Sequence, residues 1–197
     1  MRVAVYCPSL DDMSGVREVV RQSSAEMVAR GNPVAVIART RHDAVEVDGA
    51  SGVTILRVRL DRAPHPGMGP CAYRRFVHRF PTAAGDVVRA VRGWRPDVVA
   101  THCSKFHAPY VFAMRARVRA PIVVHLHNAA VTADGPESPR LQRLLQRCAA
   151  RVIAVSEPVG DYARSCLPAR AGRVVVVPNA IDRGRFVQAA PVVRQRP

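Results

Sequence analysis

Lysine is nearly missing from this 197-residue sequence, where Lys105 is the only one. The formal charge of +15 therefore rests almost wholly on arginine, spread along the chain with no single basic tract. A nucleic-acid partner calls for a basic patch or stripe on one face, so none is expected. A diffuse positive field suits an anionic lipid surface or a phosphorylated substrate better. Long apolar runs are missing too. None approaches the ~18 residues of a membrane-spanning helix, and the opening "MRVAVYCPSLDD" turns acidic too soon for a signal peptide. A cytoplasmic location is expected, with contact at the inner face of the membrane left open. The five cysteines, Cys7, Cys71, Cys103, Cys148 and Cys166, contain no Cys-x-x-Cys pair. Their odd number and wide spacing fit reduced thiols, not a zinc site or a disulfide framework. No Gly-x-Gly-x-x-Gly follows the first apolar run, and no Gly-x-x-x-x-Gly-Lys-Ser/Thr occurs. Dinucleotide and P-loop readings therefore fail. The carboxylates are too scattered for the acid/base pair that hydrolases use.

What is present is a rhythm. Hydrophobic residues make up 48% of the chain, enough for a sizeable core. Short Val- and Ile-rich runs at 3–7, 34–38, 53–58, 98–101, 122–126, 152–155 and 174–177 read as strands. Most are apolar at consecutive positions, as in parallel strands covered on both faces. Helical stripes lie between them: Val16, Val19, Val20, Met27 and Val28 with Ser23 and Ser24; Val87, Val88 and Val91; Leu141, Leu144, Leu145 and Cys148. Asp12 or Ser14 can cap the first helix, and Gly31 can end it. Strand, helix, strand in alternation predicts an α/β domain, a doubly wound, mostly parallel Rossmann-like sheet. One such domain is expected over 1–186, with 187–197 as a hinge remnant or disordered tail. The Pro- and Gly-rich stretch from Arg62 to Pro70 reads as a loop.

In such a sheet, ligands bind beyond the carboxyl ends of the strands, at the point where the strand order reverses. After the first strand, Ser14 and Gly15 lead into a helix whose free N–H groups favour an anion. Equally, Gly15 can serve only to let the helix pack closely on the sheet. His102 ends the fourth run, and His125 and His127 share a face of the fifth, with His127 nearer its carboxyl end. A zinc pair lacks a third ligand, so no metal is expected. His125 reads as a buried structural residue, whereas His127, beside Asn128, suits hydrogen bonding to a hydroxyl-rich substrate or proton transfer. In "CAYRRFVHRFP" the aromatic Tyr73, Phe76 and Phe80 alternate with Arg74, Arg75 and Arg79. That stretch either lies on an anionic membrane or buries its aromatics as core.

The order of these pieces, through "RPDVVATH" and "APIVVHLHNAA" to "ARVIAVSEPVGDYARSCLPARAGRVVVVPNAIDRGRF", resembles the N-terminal, acceptor-side domain of family 4 glycosyltransferases, which have the GT-B architecture. The resemblance is most specific over 152–186, where Ser156, Pro178, Asn179, Asp182 and Phe186 fit the family pattern. It implies a retaining transfer of a sugar from a nucleotide-sugar to an acceptor hydroxyl, with no cofactor beyond that co-substrate. It also implies a second, donor-binding domain that these residues do not supply, so that the isolated chain is inactive. By this resemblance His127 lies near the transferred sugar as the catalytic position. Ser14 and Gly15 match the loop facing the donor diphosphate, and Ser156, Asn179 and Asp182 complete the donor-side contacts. Ser14 and Ala180 stand where relatives carry glycine. The implied partners are a sugar or lipid acceptor, the nucleotide-sugar and an anionic membrane surface. The alternative is a non-catalytic relic module that binds a glycan, lipid or partner.

Overall fold

The computed structural model describes residues 1–11, 14–40, 44–60, 69–102, 107–128, 131–132, 135–136 and 139–180. Asp12, Cys103, Asp182, Phe186 and most of the Arg62–Pro70 stretch lie outside them. The chain runs β1 (Val3–Tyr6), α1 (Gly15–Ala29), β2 (Val34–Thr40), β3 (Ala44–Val47), β4 (Thr54–Arg59), α2 (Pro70–Trp94), β5 (Val98–Thr101) and α3 (Ala108–Arg117). It continues through β6 (Ile122–Leu126), β7 (Val131–Thr132), β8 (Gly135–Pro136), α4 (Pro139–Cys148), β9 (Arg151–Ala154), α5 (Glu157–Cys166), a 3₁₀ segment (Pro168–Arg173) and β10 (Val174–Val176).

Eight strands form one sheet in the order β10-β9-β6-β5-β1-β2-β4-β3, parallel except for β3, which runs against β4. All seven expected strands are present, and the doubly wound α/β class is observed. The consecutive apolar positions are explained by two cores. Val3, Val5, Val34 and Val36 pack toward α1, while Ala4, Tyr6 and Ile37 pack on the other face with α2 to α5. Burial on each face follows the two-residue alternation of a strand, and each Val or Ile fully removed from water stabilises by about 1.5–3 kcal/mol.

Several local expectations need correction. The aromatic stretch and the Val87–Val91 stripe belong to one 25-residue helix, α2, which passes through Pro81. Pro81 forfeits one backbone hydrogen bond, and the buried Val87, Val88 and Val91 hold the helix in place. Phe76 and Phe80 do pack as core, 6.5 and 5.2 Å from the Tyr110 ring, but Tyr73 is 59% exposed. Ser23 is exposed and returns its hydroxyl to the Val19 carbonyl, so only Ser24 continues the α1 stripe inward. Leu144 is exposed, leaving Leu145 as the buried member of its pair. The turn after α1 behaves as expected: Gly31 takes φ +79° just after the last helical residues. One close approach matters later. A Cβ on Gly160 of α5 would lie 2.7 Å from a methyl of Val176 on β10.

Candidate functional site on the carboxyl rim

The strand order places the site. From β1 the chain winds outward through β2 and β4 on one side, and through β5, β6, β9 and β10 on the other. The reversal therefore falls between β1 and β5, where an open α/β sheet forms a crevice at its carboxyl ends. Ser14 and Gly15 follow β1 there, and His102 follows β5. The His102 N–H donates to the Tyr6 carbonyl at 2.9 Å, which ties the two strand ends together.

His102 is the residue that sequence reasoning left out of the site. It is 3% exposed, and its Nδ1 lies 2.9 Å from Nε2 of His127. One of these nitrogens carries the proton and donates, while the other accepts. The His125 ring stacks on His102 with centroids 4.0 Å apart. His125 is mostly buried, and its ring packs as a member of the histidine cluster. The signal was available in the "ATH" and "HLH" strand endings. Using it required knowing that β5 and β6 are neighbours, in the register Thr101 to Val124.

Burial sets the charge of this cluster. It pushes His102 well below the usual imidazole range, with His125 and His127 adding to the effect. Burial, with His127 beside it, brings His125 down to about 4. His127 is lowered by burial alone. All three rings are neutral at pH 7, so the His102–His127 bond persists and His127, the less buried of the pair, keeps its Nδ1 for a hydroxyl or a proton. Protonating both would set two donors against each other.

The other expected residues line the same rim. Ser14 caps α1 in extended geometry, with its Oγ accepting the Arg17 N–H at 3.4 Å. Among the described residues, a Cβ added at Gly15 would meet no atom within 4 Å, so no close contact there calls for a glycine. Ser156 occupies the cap position of α5 without making a side-chain cap bond, which leaves its hydroxyl available at the mouth. Asn179 is exposed, three residues beyond β10. With strands ~4.8 Å apart, the row from β1 to β10 spans roughly 20 Å. Ser14 and Gly15, His102 and His127 follow the carboxyl ends of the central strands β1, β5 and β6, and Ser156 and Asn179 follow β9 and β10 toward the edge. Asp182 lies outside the described residues. Among the described residues, no three His, Cys, Asp or Glu side chains are grouped to hold a metal ion. No helix among them is long and apolar enough to cross a membrane.

A doubly wound sheet with its polar groups gathered at this reversal point is the build of one Rossmann-like half of a GT-B glycosyltransferase. The sequence model of the glycosyl transferase 4-like domain matches residues 14–180, and the chain belongs to that family. No curated protein sequence matches it. Among solved structures it is similar to HepE from Anabaena in complex with UDP, at a TM-score of 0.61 and 18% identity, over 94% of this chain and 46% of that one. MurG from Acinetobacter baumannii is similar at a TM-score of 0.57 and 14% identity, over 92% and 46% of the respective chains. An alpha-glucosyltransferase in complex with UDP-glucose and DNA containing an abasic site is similar at 0.56 and 11%, over 94% and 44%. At these identities the likeness is one of fold. The chain spans less than half the length of these neighbours.

Proposed function

We propose that the chain is the acceptor-side half of a retaining sugar transferase, working with a separate Rossmann-like unit that holds the nucleotide-sugar. The observation that carries this reading is the neutral His102–His127 pair at the carboxyl ends of β5 and β6, on the same rim of the sheet as the start of α1 and at the reversal of strand order. The family match supports the transferase class, and the UDP complexes of the fold neighbours support the kind of donor.

The roles follow from chemistry. The first-turn N–H groups of α1, behind Ser14 and Gly15, face the donor diphosphate, because a helix N-terminus favours an anion. His127 hydrogen-bonds a hydroxyl of the transferred sugar, and His102 fixes the ring that does so. Ser156, Asn179 and Asp182 complete the donor-side wall. The bond from the anomeric carbon to the diphosphate oxygen breaks, and a bond from the acceptor oxygen to that carbon forms. The acceptor proton passes to the departing diphosphate, so no protein nucleophile takes part. One wall of a cleft cannot orient both reactants, and orientation is worth ~7–11 kcal/mol of barrier. The isolated chain is therefore inactive. Contact with an anionic membrane surface is supported by the outer face of α2, where Tyr73 and Val77 are exposed beside Arg74 and Arg75.

The test is reconstitution. The purified chain is incubated with UDP-sugars and candidate acceptors, alone and with a donor-binding half supplied as a second polypeptide. Turnover is expected only in the mixture and falls about 100-fold or more on His127→Ala. Turnover by the chain alone would overturn the two-half reading, and a mixture indifferent to His127 would overturn the site.

A further inference from the structure

The opposite rim of the sheet has its own chemistry. Arg115 at the end of α3, Arg119 before β6, Arg147 at the end of α4, and Arg170 and Arg173 before β10 line one cavity of about 460 Å³ at the amino ends of β6, β9 and β10. Pro121, Ile122 and Ala149 also line it, and no acidic residue does so among the described residues. Among the described residues none of the five makes an ion pair. Among the described residues, the one hydrogen bond from these five guanidinium groups is Arg170 Nη1 donating to the Arg147 carbonyl at 2.8 Å. Arg115 and Arg170 both act electrostatically on the half-buried Cys148 thiol in the same cavity, against the burial that raises it.

Helix ends account for part of this. The carboxyl ends of α3 and α4 carry about half a negative charge each, which suits Arg115 and Arg147. That offsets roughly one of five positive charges, and Arg119, Arg170 and Arg173 lie outside both helices. Planar guanidinium groups gathered around a concave surface, with no carboxylate among the described lining residues, form a receptor for multiply charged oxyanions such as phosphate, which they hold by paired N–H bonds. The volume lies within the ~300–1,000 Å³ of ordinary small-ligand sites.

We propose that this cavity binds a phosphate-bearing group with at least two negative charges, as a second site on the face of the sheet away from the histidine crevice. It does not depend on the transferase reading, because none of its residues belongs to the carboxyl rim.

The experiment compares the wild-type chain with Arg119→Gln/Arg173→Gln, and with the charge-matched control Arg21→Gln/Arg92→Gln. Inorganic triphosphate is titrated calorimetrically at ~0.1 M salt, where diffuse surface attraction is largely screened. In a second arm the same proteins are sedimented with phosphatidylcholine vesicles containing phosphatidylinositol 4-phosphate. Circular dichroism and the urea midpoint confirm that each variant is folded. The expected result is saturable one-to-one binding, weakened at least about tenfold in the Arg119/Arg173 variant and less than about twofold in the control. Loss confined to the triphosphate arm identifies a soluble ligand, and loss in the vesicle arm identifies a lipid headgroup. Absence of saturable binding in both arms, or equal weakening in both variants, overturns the proposal.

Discussion

Three imidazoles occupy the carboxyl rim of the sheet, and five guanidinium groups occupy the amino rim beneath β6, β9 and β10. The imidazoles are packed ring against ring and kept neutral by burial. The guanidinium groups cannot be neutralised and stay mostly in water. The carboxyl rim thus offers hydrogen bonds without charge, suited to uncharged hydroxyls beside an anion held by the α1 terminus. The amino rim offers charge with little fixed geometry. Net charge alone, +15 for the chain, does not distinguish the two. Burial does.

Acid should erase the contrast, with the largest effect. The histidines titrate lower in the folded protein than in the unfolded chain, so the unfolded chain binds more protons between the two values. Stability is then full above pH 6.5 and falls as pH drops toward 4. For His125, the gap between 6.5 and about 4 corresponds to about 3 kcal/mol. Urea midpoints measured from pH 7.5 to pH 4.5 should fall in that window, and His125→Phe should flatten the fall. A midpoint unchanged down to pH 4.5 would mean that the rings are not buried as described.

Removing one ring comes next. In the reconstituted transferase, His127→Ala should lower kcat about 100-fold or more. His102→Ala should cost less, about tenfold, because it only positions His127. A larger loss at His102 than at His127 would reverse their roles. Smaller still is Gly160→Ala. Overpacking against Val176 costs about 1–3 kcal/mol, and helix propensity returns up to about 1 kcal/mol. A net loss near 1 kcal/mol is expected in urea unfolding, and a gain in stability would show that the contact relaxes freely. The smallest effect belongs to the amino rim, where Arg119→Gln/Arg173→Gln should move unfolding stability by less than about 0.5 kcal/mol.

The sheet was legible because its parallel strands are apolar on both faces, a pattern that survives without tertiary knowledge. β3 was not legible. Val45 and Val47 are 72% and 66% exposed, and the strand is held at the margin by pairing with β4 and by the Glu46–Arg57 ion pair. α3 was hidden because Pro109 reads as a breaker when it is in fact a first-turn residue, and because Ala108, Tyr110, Val111 and Met114 are all buried without a clear polar face opposite. Pro81 concealed the continuity of α2 in the same way. At the site, Ser14, Gly15 and His127 could be read from strand endings. The partnership of His102 with His127 spans 25 residues of sequence and exists only through the order of β5 and β6. The arginine cavity was invisible for a related reason, since its members come from three separate connections.

Gly160 has a further consequence. Because it lacks a side chain, α5 rests directly against β10, where a methyl at this position would press on Val176. Asn179 leaves the sheet from that strand. The seating of that edge strand thus depends on the absence of one methyl group at Gly160.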